Sequence, residues 1–116
     1  PDLSVLQNIG KEIEEVAKEL NSGVYLLKFK DFYKIGITKE LRGRINLITS
    51  RLKIDYKPEI VSYKETNLFD AVSIENSLEE KYTNYRFTYK EQFEGATECY
   101  TLDLPIEEIK EQLNLS

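Results

Sequence analysis

The chain has 116 residues, 41% hydrophobic and 32% charged, which fits one globular domain with a modest core and excludes a disordered segment. Its net charge of −5 excludes a uniformly basic nucleic-acid binder. One cysteine and no histidine exclude an internal disulfide, a Cys/His zinc site and histidine-based catalysis. No apolar run approaches membrane-spanning length and no signal peptide is visible, so no membrane partner is expected and the protein is expected to be intracellular, in the cytoplasm or in a nucleoid or viral setting.

Residues 3–20 carry Leu3, Leu6, Ile9, Ile13, Val16 and Leu20 at spacings of three and four, the pattern of an amphipathic helix. Its expected role is to cover one face of a sheet; a dimerisation helix is the alternative. Asn21-Ser22-Gly23 reads as its stop.

Gly23–Phe29 and Phe32–Ile37 are short strand patterns separated by Lys30-Asp31, the layout of a tight hairpin without the glycine that favoured turns prefer. A two-residue loop pairs Phe29 with Phe32, Leu27 with Lys34 and Tyr25 with Gly36. Side chains alternate with period two, so Val24, Leu26, Ile35 and Ile37 form an apolar core face. The other face carries Tyr25, Leu27, Lys34 and Gly36, a phenol and an ammonium beside a glycine that admits close backbone approach. Tyr33 is expected on the opposite face.

Glu40–Leu52 reads as a second helix with Leu41, Ile45, Ile48 and Leu52 as its stripe and Thr38 as the expected cap. Arg44 and Arg51 lie close to one face, two turns apart. Residues 59–64 read as a third strand after Pro58. Asn67 opens a third helix, with Asp70 three residues on in a capping-box arrangement and Leu68, Ala71, Val72, Leu78 and Tyr82 as its stripe. Glu75 and Glu79 share one side of that helix.

Residues 83–97 are polar and aromatic without a period and read as a turn-rich segment; Gly95–Leu102 reads as a turn and a fourth strand. Leu104–Leu113 reads as a closing helix with Pro105 in its first turn. Cys99 reads as a small core residue. The expected fold is α/β in the α+β sense: a small, mainly antiparallel sheet of three to four strands flanked by helices. One domain is expected over 1–116, with a motif core at 22–102.

Charge is distributed unevenly. Residues 28–57 hold nine lysines and arginines against three acids, a net of +6, leaving −11 for the rest of a chain whose total is −5. Lys34, Lys39, Arg42, Arg44 and Arg51 lie in this segment and are the expected contacts for nucleic-acid phosphates.

Gly23-Val24-Tyr25, then Lys34-Ile35-Gly36, then Arg44 on the following helix resemble the GIY-YIG nuclease superfamily, in a phage and bacterial branch with lysine in place of the second motif tyrosine. The resemblance implies a divalent-metal-dependent endonuclease that hydrolyses phosphodiester bonds in DNA, duplex or branched. It implies Tyr25 as general base, Lys34 as a phosphate donor or base, Arg44 as phosphate stabiliser, and Glu75, within Ser-Ile-Glu-Asn, as ligand of magnesium or manganese. Glu98 resembles a glutamate that recurs in the lysine-containing branch, in a salt bridge or at the metal. The chain leaves little surface for sequence readout, so a recognition domain or a homo-oligomer is an expected partner. The alternative from another class is a catalytically degenerate nucleic-acid-binding or protein-interaction module, which Lys34 and the acidic net charge favour.

Overall fold

The computed structural model describes residues 3–87 and 99–115. In chain order these form α1 (Leu3–Glu19), β1 (Asn21–Lys28), β2 (Tyr33–Ile37), α2 (Leu41–Arg51), β3 (Glu59–Asn67), α3 (Leu68–Lys81), a 3-10 turn (Thr83–Tyr85), β4 (Arg86–Phe87), β5 (Cys99–Tyr100) and α4 (Ile106–Leu115). The strands make one antiparallel sheet in the order β3-β1-β2-β5-β4. The α+β class holds, with five described strands in place of three to four. The expected fourth strand is β5; the added one is β4, a two-residue piece in the segment read as turn-rich, too short to show a period.

The hairpin adopts the expected register: Tyr25 faces Gly36 and Leu27 faces Lys34. Its loop is two residues, closed by the Phe29 N–H donating to the Phe32 carbonyl at 2.8 Å. Neither Lys30 nor Asp31 takes a positive φ, which is why the turn needs no glycine. Side chains hold it instead. The Phe29 and Phe32 rings stack with centroids 4.5 Å apart. The Lys30 N–H donates to the Tyr56 hydroxyl, and its ammonium lies 4.5 Å from that ring's centre.

Alternation along β1 and β2 gives the sheet two apolar faces, each with its own helical layer, although the β1–β3 pairing shifts register between Leu26 and Leu27. Val24, Leu26, Tyr33, Ile35 and Tyr100 pack with Ala71, Leu78 and Tyr82 of the α3 end and with Leu104, Ile109 and Leu113 of the α4 end. Tyr25, Leu27, Phe29, Phe32 and Cys99 pack with Ile48 and Leu52 of the α2 end. Tyr33 points away from Tyr25, as expected, and Cys99 is fully buried.

Four readings shift. Strand β3 runs on to Asn67, because β1 begins at Asn21 and pairs with it there; Asn21 and Ser22 therefore open a strand and do not simply stop α1. The cap of α2 is Glu40: its carboxylate accepts from the Gly43 N–H, while the Thr38 hydroxyl sits two residues too early and accepts from the Glu40 N–H. Val72 is exposed. Helix α1 lies against α3 and β3, with Ile13, Val16 and Leu20 about half exposed, and does not lie across a sheet face. Asn67 does cap α3, accepting from the Asp70 N–H at 2.8 Å and donating to its carboxylate at 3.1 Å.

Two aromatic rings fill the space above two glycines. A Cβ on Gly36 would overlap the phenol of Tyr25 on the neighbouring strand, and a Cβ on Gly23 would lie 2.5 Å from Tyr63 ring carbon. The close approach is thus made by side chains and not by backbone. Gly36→Ala is therefore expected to lower stability by about 1–3 kcal/mol through overpacking. Gly10→Ala, on α1 with nothing within 4 Å, is expected to raise it by about 1 kcal/mol through helix propensity. Urea midpoints of the two variants moving in the same direction would contradict this.

Candidate nucleic-acid interface

The α2 side of the sheet is built in rows across the strands. Tyr63 of β3, Tyr25 of β1 and Gly36 of β2 stand in register, and the next row holds Leu27, Lys34 and Cys99. Tyr25 and Lys34 therefore share one face in adjacent rows. Both lie mostly below the surface, with 3% and 6% of their area exposed.

The start of α2 is tied to this face through Tyr63, whose hydroxyl donates to the Thr38 carbonyl at 3.0 Å. Glu40 satisfies the first free turn of the helix and places a carboxylate at the positive end of its dipole. Two depressions flank this turn. One of about 820 Å³ lies toward the end of β2 and is lined by Ser22, Ile37, Thr38, Lys39, Gly43, Arg44 and Leu47, among others. The other, of about 590 Å³, lies toward β3 and takes in Lys39, Arg42, Lys57 and Ile60. Arg42 and Arg44 are two apart on a helix, so they point to different sides of it. Lys39 borders both depressions.

Among the residues singled out in the sequence, Tyr25 and Lys34 meet on the α2 face, and Arg44 and Lys39 line one depression beside α2. Arg42 turns to the other. Arg51, exposed in the last turn of α2, lines neither of these two. Glu75 stands on α3, half-buried, one turn after the buried Ala71; Ala71 and Leu78 of that helix pack in the layer of Val24 and Leu26. Helix α3, which bears Glu75, thus packs on the face of the sheet opposite to that of Tyr25. Glu98, with Tyr89, Lys90 and Phe93, lies outside the described residues.

Among the described residues no three Asp, Glu, Cys or His side chains gather as a metal-holding group. A lone half-buried carboxylate still fits a hard cation that takes its other ligands from water and substrate phosphate. Two residues that matter here carry no motif signal. Tyr63 is marked only by the glycine two places along the facing strand, and Lys57 only by its charge.

An antiparallel sheet between helical layers, carrying a basic helix start beside a tyrosine-bearing hairpin, defines a small α+β domain. The chain belongs to the T5orf172 domain family, whose model matches residues 17–115. That family is phage-associated and related to nuclease-like folds, and it points to a nuclease-like or DNA-binding role with nucleic acid as the partner. No curated protein and no solved structure matches the chain. Among the described residues no helix is long and apolar enough to cross a membrane.

Burial, then the nearby Glu65 and Glu40, raise the Tyr63 phenol above its ordinary value of 10.0. A pKa raised on folding stabilises the protein below the unfolded value, and that contribution is lost as pH rises through the folded one. Stability is therefore expected to fall above about pH 10. Tyr63→Phe keeps the ring over Gly23 and removes the bond to Thr38, which is expected to cost about 1 kcal/mol at neutral pH. The variant should also show a shallower alkaline loss. Chemical denaturation of both proteins from pH 8 to about 11 measures this; parallel curves would contradict it.

Proposed function

We propose that this domain is a divalent-metal-dependent DNA endonuclease of the GIY-YIG kind. One observation supports the reading above the others: the hairpin register that seats the Tyr25 phenol over Gly36 with Lys34 on the same face, beside the helix that bears Arg44.

Phosphodiester hydrolysis needs a proton acceptor for water and cations for the charge that builds on phosphorus-bound oxygens. In this reading Tyr25, as its phenolate, accepts a proton from the attacking water, whose oxygen bonds to phosphorus as the P–O bond to the leaving oxygen breaks; the leaving oxygen takes its proton from solvent. Arg44, exposed on the wall of the larger depression, bridges two phosphate oxygens with its planar fork. Lys34 donates to a third. Glu75, with the substrate phosphate, would hold magnesium or manganese, which would supply further positive charge. The reading requires the Glu75 carboxylate to reach the phosphate from the α3 layer.

A catalytically degenerate binding module is the second reading. It is favoured by the near-complete burial of Tyr25 and Lys34 and by the packing of α3, which bears Glu75, on the opposite face of the sheet. Nicking of supercoiled plasmid across a panel of divalent metals separates the two. The endonuclease reading expects magnesium- or manganese-dependent nicking, lowered about a hundredfold or more by Arg44→Ala and abolished by Glu75→Ala. Folded protein that binds DNA in a salt-sensitive way yet nicks under no metal would replace it with the second.

A further inference from the structure

The depression between α2 and β3 adjoins the one that Arg44 lines and shares Lys39 and Glu40 with it, but none of Tyr25, Lys34, Arg44 and Glu75 lines it. Three cations, Lys39, Arg42 and Lys57, stand around it, and Leu41, Pro58 and Ile60 give it an apolar lining. Ile60 is 51% exposed at the edge of the sheet, next to the buried Pro58. Two acids also line it: Glu40, whose carboxylate accepts from the Gly43 N–H, and the exposed Glu65 of β3, so cations exceed acids by one. Its volume of about 590 Å³ is that of a site for one small ligand or a nucleotide or two of chain.

The geometry points to this groove as a seat for single-stranded nucleic acid. Cations at the rim match a phosphate backbone, and the apolar lining matches the sugar and base faces that an unpaired strand exposes. A duplex keeps its base faces stacked inside and offers this apolar lining none of them. Lys39 also borders the larger depression with Arg44, so a strand lying in the groove leads directly to that residue. The inference rests on the nucleic-acid reading above and narrows it: the preferred substrate is a duplex that continues into a single strand, as at a flap, overhang or branch.

The test is fluorescence anisotropy of the full chain with a blunt DNA duplex and with the same duplex carrying a single-stranded overhang. Lys57→Glu is expected to weaken binding of the overhang duplex about tenfold and to leave the blunt duplex within about twofold. Lys57→Ala should lower the salt slope for the overhang duplex by about one. Lys11→Glu, the same charge change placed on α1, should alter neither. The groove is ruled out if Lys57→Glu weakens both DNAs equally, if it weakens neither, or if Lys11→Glu matches its effect. Wild-type protein that binds neither DNA at low salt would instead overturn the nucleic-acid reading as a whole.

Discussion

The ring of Tyr25 occupies the space that any side chain at position 36 would need, and the ring of Tyr63 does the same at position 23. These two contacts cross the three strands that form the centre and one edge of the sheet. They place aromatic area over backbone that would otherwise face α2 as bare glycine. They also explain why both motif tripeptides contain glycine in this chain: each glycine is a seat for a tyrosine on the next strand. Through its hydroxyl, Tyr63 extends the same arrangement to the Thr38 carbonyl and so to the start of α2. The position of the basic helix end is thus set by sheet packing as well as by its own cap.

Charge follows from that placement. The excess of lysine and arginine in residues 28–57 looks, in one dimension, like a single basic segment. Folding divides it. Arg42 and Arg44 leave α2 in different directions, Lys57 joins Arg42 from the loop before β3, and Lys39 lies between the two depressions. Glu40 occupies the helix N-terminus itself, so anion binding here depends on side-chain cations and not on free backbone N–H groups. An acidic remainder elsewhere in the chain confines attraction for a polyanion to this end.

The hairpin and its register were legible because the period of two is strict and the loop is short. A one-residue slip would have turned Leu26 and Ile35 to the α2 side. The Asn67 cap was legible because Asn followed by Asp three residues on is a helix-start signal, and here the Asn67 side chain accepts from the Asp70 N–H and donates to the Asp70 carboxylate. The Glu40 cap was not, since Thr is the stronger cap by type and the deciding quantity is a two-residue offset. The reach of β3 through Glu65 and Thr66 was hidden by their polarity; an edge strand needs no apolar face on its outer residues. Residue Glu75 was placed on the correct helix, but a linear spacing carries no information about which face of a sheet that helix covers. The two-layer packing of Ala71 and Leu78 against Leu26, and of Ile48 against Leu27, is a long-range result.

Two layers meeting across one thin sheet leave each side dependent on how closely the strands approach their helices. If Tyr25 is what fills the space at Gly36, the cost of a methyl group there must depend on Tyr25. The direct measurement is a double-mutant cycle in urea with Gly36→Ala, Tyr25→Leu and the pair. A coupling of at least about 1 kcal/mol is expected, with Gly36→Ala far less costly once the ring is gone. Additive losses from the two substitutions would contradict the seating of the tyrosine on the glycine.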